Sequence, residues 1–352
     1  MKTTLIVKVN SQEPEIGKIK AAADFIRHGY LVAFPTETVY GLGADALNPI
    51  AVRNLFEMKK RPFDNPPIVH VGEIEDVHRL VRKIPPEAEI VMKRFWPGPL
   101  TLILKRSKTV PNVTVSNLDT IAVRMPKHMV AIALIKESGC PIAAPSANLA
   151  GRPSPTSAKH VLDDLAGRID VVLDAGSTNV GVESTILDMT INPPQILRPG
   201  GVPYEVLAKL LERVDLNPIV TAQRELAMGK VRSPGMKHKH YAPDADMIVV
   251  EGEISAVVRK VKVLTESYMR KDYVVGVLAT DETVEFYKHG VVKCLGSRKN
   301  QATTARNLFK LLREFESEHV DIIIAEGVPV EGLGLAVMNR LRKAAGYNII
   351  KI

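Results

Sequence analysis

YLVAFPTETVYGLG, residues 30–43, is the stretch that decides the fold class. Its first half is apolar and rich in β-formers, and Pro35 ends it, so it reads as a strand running into a loop. Upstream, Ile16, Ile19, Ala23 and Ile26 recur at helical spacing, and Gly29 follows as a C-terminal cap. Downstream, IAVRNLFEMKK (50–60) predicts a helix stopped by Pro62, and PPIVHV (66–71) and LTLILK (100–105) predict strands. PIAAPSAN (141–148) and DVVLDAG (170–176) each pass from an apolar strand into a loop of small residues. Ligands of α/β proteins collect at such strand-to-loop exits.

A second alternating unit begins at Met247. MIVVEG, YVVGVLAT, VVKCLG and VDIIIAEG are strands, separated by the helical stretches SAVVRKVKVLTESYM and ATTARNLFKLLREFESE and followed by GLGLAVMNRLRKAAG. Strands alternating with helices predict a parallel, doubly wound sheet. Between the two units, KVRSPGMKHKHYAPDA carries Pro and Gly and no apolar period, which predicts a linker. The expected organisation is a catalytic domain over 1–210, a linker over 211–245 and a smaller domain over 246–352.

Bulk composition narrows the function classes. The 352 residues are 45% hydrophobic and 24% charged, a globular profile, and no apolar run approaches the ~20 residues of a membrane span. The first residues lack the apolar core of a signal peptide, so a cytoplasmic protein is expected, with no membrane partner. Cys140 and Cys294 have no zinc spacing and are expected to be buried, inert thiols. The net charge of +8 invites a nucleic-acid reading, but residues 1–205 hold 24 basic against 21 acidic side chains, and 246–352 hold 16 against 14. That near balance suits local anion sites better than a broad nucleic-acid face.

Walker A, HExxH and nucleophile-elbow patterns are all missing, so the chemistry has to come from a dispersed set. Lys59 and Arg61 close a helix, where they either complement its dipole or clamp phosphates. Thr36 and Thr38 offer hydroxyls at a strand end, while Gly41 and Gly43 permit a close backbone approach that a structural turn also explains. Arg124, inside an apolar run, requires an anionic partner, an internal carboxylate or a substrate, and Thr120 is read on the same face. Ser146, Asn148 and Ser154 crowd a loop after a strand, Ser184 and Thr185 precede another, and Arg198 stands before a Gly-Gly turn. Cations and hydroxyls in this mixture suit an adenylating site that works by positioning and charge stabilisation.

The ordered motifs PTETVYGLG, KKRPFDNPP, WPGPLTL, VRMP, APSANLAGRPSPT, ESTILD and LRPG resemble the YrdC-like threonylcarbamoyl-adenylate synthases. HKHYAP and EGLGLAVMNRLRKAA are similar to the linker and C-terminal domain of the family's long form. The resemblance implies an α/β fold: a twisted mixed sheet with a concave basic site, then a Rossmann-like parallel-sheet domain. It implies a nucleotidyltransferase that turns L-threonine, bicarbonate or CO2, and ATP into threonylcarbamoyl-AMP and pyrophosphate. The product would feed a tRNA threonylcarbamoyl transferase complex, with weak tRNA contact by the enzyme itself. Mg²⁺ is expected on the ATP phosphates, with no ligands assigned.

Carried onto this chain, the resemblance places Lys59 and Arg61 on phosphates as the catalytic cations. Thr120, Ser146, Asn148, Ser154 and Arg198 surround the nucleotide, with Ser233 and Tyr241 brought to it by a linker folding over the site. Thr36, His70, Arg124, Ala144 and Ser184 face threonine, with Arg124 on its carboxylate. Lys60 stands where many relatives have a small residue. Two other readings remain: an RNA-binding module without catalysis, and a carbamoyl-transfer protein of the hydrogenase-maturation type.

Overall fold

A computed structural model describes residues 3–222 and 241–352. They fall into two compact units, one of residues 3–150 and 154–220, the other of Gly151–Pro153, residues 221–222 and the chain from 241 to the end.

The first unit is built on β1 (Leu5–Lys8), β2 (Val32–Pro35), β3 (Tyr40–Asp45), β4 (Ile68–His70), β5 (Leu100–Lys105), β6 (Thr120–Arg124), β7 (Ile142–Ala144), β8 (Val171–Asp174), β9 (Thr185–Asp188), β10 (Gln195–Arg198) and β11 (Asp215–Leu216). They form one mixed sheet in the order β1-β8-β2-β3-β7-β4-β6-β5-β9-β10-β11. The strand predicted within residues 30–36 is β2, and its neighbours explain why its sequence does not alternate. Val32 and Phe34 pack with Ile19, Ile26 and Leu134, side chains of the helices Ile16–Arg27 and Met129–Ser138. Leu31 and Ala33 pack instead with Leu55, Val161 and Leu165, from Pro49–Met58 and Ala158–Leu165. A strand covered on both faces must be apolar at every position, and a fully buried Phe34 contributes about 1.5–3 kcal/mol.

Three expectations need correction here. Gly41 and Gly43 do not line a loop: both lie within β3. A β-carbon on Gly43 would come within 2.8 Å of Ile142 Cγ2 and 2.9 Å of Phe34 Cε1. Glycine is needed there for packing between strands rather than for a ligand. The linker expected from 211 starts too early, because β11 pairs in parallel with β10 and Pro218–Thr221 is a helical turn. Two-residue strands carry too little pattern to register in composition. Cys140 and Cys294 are half-buried, not buried; burial pushes the first thiol up to about 12 and the second to about 11, which keeps both protonated.

The second unit has β12 (Asp246–Glu251), β13 (Val275–Ala279), β14 (Val291–Cys294), β15 (Ile322–Glu326) and β16 (Ile349–Lys351), all parallel, in the order β14-β13-β15-β12-β16. Val257 and Val261 of the helix Ile254–Met269 pack against Ile248, Val250, Val277 and Ile324. The helix Gln301–Ser317 buries Ala305, Leu308, Phe309, Leu312 and Phe315, the spacing of a single apolar stripe. Among the described residues no helix is long and apolar enough to cross a membrane.

Candidate active site

The loop between β2 and β3 is shaped by its own threonines. Thr36 Oγ1 accepts from the backbone amides of Thr38 (3.2 Å) and Val39 (3.3 Å) and donates to the Val39 carbonyl (2.7 Å). With that proton committed, Thr38 Oγ1 donates to Thr36 Oγ1 at 2.8 Å and accepts from Arg124 Nη1 at 3.0 Å. Arg124 ends β6, 3% exposed, and its Nε donates to the Gly98 carbonyl at 3.1 Å. Its Nη2 lies 2.7 Å from Glu37 Oε1 in an ion pair. The internal carboxylate that a buried arginine requires is therefore Glu37, the residue between the two threonines.

His70 ends β4 level with Arg124 in the parallel register. Burial, reinforced by the Arg124 charge, pushes its pKa down to about 3. The ring is neutral at physiological pH. Its Nδ1 lies 3.2 Å from the Ile68 carbonyl, which only accepts, so Nδ1 carries the proton. His128 is also lowered by burial, with the Glu37 charge acting against the shift.

On the other side of β4, Lys59 follows the helix Pro49–Met58, 1% exposed. Its ammonium donates to the carbonyls of Ser146 and Asn148, so the KKRP turn is tied to the loop after β7. That loop has its own bonds: Ser146 Oγ to Asn148 Oδ1 at 2.5 Å and Asn148 Nδ2 to the Leu149 carbonyl at 2.7 Å. Ala144, at the end of β7, pairs with Ile68. Arg61 donates from Nε to the Asn65 carbonyl at 2.7 Å and from Nη2 to that of Pro66 at 3.4 Å. Lys60, between the two cations, has φ 51°, a left-handed conformation that favours residues smaller than lysine. Thr120 opens β6, four positions and ~13 Å along the strand from Arg124. It therefore sits towards the start of β4, where the Arg61 turn ends.

Arg198 and Ser184 meet directly. Arg198 Nε and Nη2 donate to the Ser184 carbonyl at 3.1 and 2.9 Å, and Nη2 also reaches Ser184 Oγ at 3.1 Å. Ser184 Oγ lies 2.8 Å from Thr101 Oγ1 on β5. The Gly-Gly turn after Arg198 presses on the same residue: a β-carbon on Gly200 would lie 2.3 Å from both the Glu183 carbonyl oxygen and the Ser184 carbonyl carbon. Ser154 Oγ donates to Glu183 Oε1 at 2.6 Å, both side chains buried. An arginine read for the nucleotide and a serine read for threonine are thus hydrogen-bonded to each other.

Residue-by-residue reading missed Glu37, Thr101 and Glu183. Each carried a signal: Glu37 and Glu183 are acids embedded in the quoted motifs, and Thr101 interrupts an apolar run. Of the two linker residues, Ser233 lies outside the described residues. Tyr241 belongs to the second unit, 5% exposed, its ring 5.3 Å from that of Phe309 and 5.5 Å from the Arg340 guanidinium carbon. Among the described residues no group of three His, Cys, Asp or Glu side chains could hold a metal.

Comparison with known proteins gives these features a family. Residues 24–200 match the Sua5/YciO/YrdC family model described as "Telomere recombination". Residues 202–346 match the model for the threonylcarbamoyl-AMP synthase C-terminal domain. The chain is 50% identical to the threonylcarbamoyl-AMP synthase of Pyrococcus abyssi, over 99% of this chain and all of that one. It is 46% identical to the Bacillus subtilis protein of the same name, over 98% and 96% of the two chains. The crystal structure of P. abyssi Sua5 complexed with L-threonine superposes with a TM-score of 0.94, covering 99% of this chain and all of that one at 50% identity. The chain belongs to the Sua5/YrdC family of threonylcarbamoyl-AMP synthases, in the form that carries the additional C-terminal domain.

Proposed function

We propose that the chain condenses L-threonine, bicarbonate or CO2, and ATP into L-threonylcarbamoyl-AMP and pyrophosphate. The observation that supports this most strongly is the similarity of the whole chain to a threonine-bound relative, with the PTET, KKRP, APSAN and EST segments gathered in one unit. In this reading Lys59 and Arg61 turn from backbone carbonyls to the triphosphate, where two cations offset the charge that develops as pyrophosphate leaves. Thr120, Ser146, Asn148, Ser154 and Arg198 orient the nucleotide. Thr36, neutral His70, the backbone at Ala144 and Ser184 surround threonine, and Arg124 takes its carboxylate. A carbamate oxygen formed on the threonine nitrogen then attacks the α-phosphorus in line, and the gain comes from holding the two reactants together.

Mg²⁺ fits this reading as an ion carried by the ATP phosphates and water. The described residues supply no ligand cluster for it, and no step here is routed through it. Ser233 and Tyr241 are assigned to the nucleotide side on the family resemblance alone. The product would pass to a transferase that modifies tRNA in the cytoplasm. Incubation with ATP, bicarbonate and threonine should release pyrophosphate and yield an AMP adduct containing threonine. Release that proceeds equally without threonine refutes the assignment.

A further inference from the structure

The Arg124–Glu37 pair is incompletely satisfied. Arg124 places Nε on Gly98 and Nη1 on Thr38, while its Nη2 touches Glu37 Oε1 without hydrogen-bond geometry. Neither Glu37 oxygen accepts a hydrogen bond, although the residue is 7% exposed. A carboxylate offers about four acceptor positions, and leaving them empty away from water is costly. The flanking hydroxyls do not help, because Thr36 spends its proton on the Val39 carbonyl and Thr38 spends its own on Thr36 Oγ1. An unsatisfied buried group of this kind needs an explanation.

The loop that holds Glu37 is the one placed around threonine above, and this inference rests on that reading. An α-amino acid carries an ammonium and a carboxylate on one carbon. The site carries a guanidinium and a carboxylate side by side. We propose that Glu37 is the ammonium-recognising residue of the threonine site: its Oε2 accepts from the substrate α-ammonium while Arg124 takes the substrate carboxylate, so two zwitterions pair head to tail. Glu37 thereby sets specificity for α-amino acids over α-hydroxy acids of the same shape. His128, which feels the Glu37 charge, and His70, which feels the Arg124 charge, are both held towards the neutral form and do not compete as cations.

The test compares L-threonine with 2,3-dihydroxybutyrate of matching configuration, which replaces the ammonium with a hydroxyl. Binding is measured calorimetrically on the full chain. The unsubstituted protein should prefer threonine at least about 30-fold, the size of a charge-assisted contact. Glu37→Gln should reduce that preference to about threefold or less while ATP affinity stays within about twofold. Equal affinity of the unsubstituted protein for the two ligands would overturn the proposal without any variant. So would a Glu37→Gln protein that keeps the full preference, or one that loses both ligands equally, since Glu37 would then only brace Arg124. Glu37→Asp, which keeps the charge but retracts it, should fall between. A protein that binds neither ligand and releases no pyrophosphate overturns the functional reading itself; threonine binding with an unchanged preference overturns only the role of Glu37.

Discussion

Lys59→Met separates the part Lys59 plays in the fold from the ATP role proposed for it. Methionine keeps the unbranched length of the side chain and removes the ammonium. The Ser146 and Asn148 carbonyls then lose their charged donor in a place that is 1% exposed at Lys59. Hydrogen bonds to charged groups contribute about 1.5–3 kcal/mol each, so two give at least about 3 kcal/mol at the low end of that range. The chain has one tryptophan, Trp96, which is buried in the same unit and donates from Nε1 to the Leu100 carbonyl at 2.7 Å. Its fluorescence therefore reports unfolding of this unit within the full chain. With a urea slope of roughly 3 kcal/mol per molar, the midpoint should fall by about 1 M. Pyrophosphate release should fall in parallel, and added ATP should protect the variant less than the parent protein. A midpoint unchanged within about 0.2 M would refute the reasoning, because Lys59 would then not be holding the loop.

Further expectations follow from neighbouring groups. Gly200→Ala forces a methyl against the backbone of Glu183 and Ser184, so it should destabilise the unit by about 1–3 kcal/mol by Trp96 fluorescence and raise the threonine KM. His70 has a folded pKa of about 3, below the unfolded value of about 6.5, so the unfolded chain binds the extra proton between those limits. Its contribution is complete above pH 6.5 and is lost as pH falls. By pH 5 about 2 kcal/mol should be gone, and His70→Gln should flatten the decline in urea midpoint between pH 7 and pH 5. Tyr241→Ala removes a ring packed on Phe309 and Arg340, so calorimetry should show the second unit weakened by about 3 kcal/mol or more. Tyr241→Phe keeps the packing, and a loss of activity in it would implicate the hydroxyl.

Periodic segments were legible because burial imposes a repeat. The helix at Ile16–Arg27 came straight from spacing, and the parallel sheet of the second unit came from alternation. Within the candidate site, residue types in the motifs singled out segments that the first unit holds in contact. Their pairing was not legible. Glu37 and Arg124 are 87 positions apart and Lys59 and Ser146 exactly as many, so only a folded sheet brings them together. The packing role of Gly43 was hidden for the same reason: Phe34 and Ile142, the side chains that leave it no room for a β-carbon, arrive from neighbouring strands.

The strand order of the first unit also constrains how the chain is made. β8, residues 171–174, is inserted between β1 and β2, whose residues end by position 35. Until β8 emerges, two rows of backbone amides and carbonyls face water with no partner, an invitation to pair with another chain. At roughly 5–20 residues per second, synthesis leaves them open for on the order of ten seconds. A chain truncated before residue 171 never supplies the strand that closes those edges.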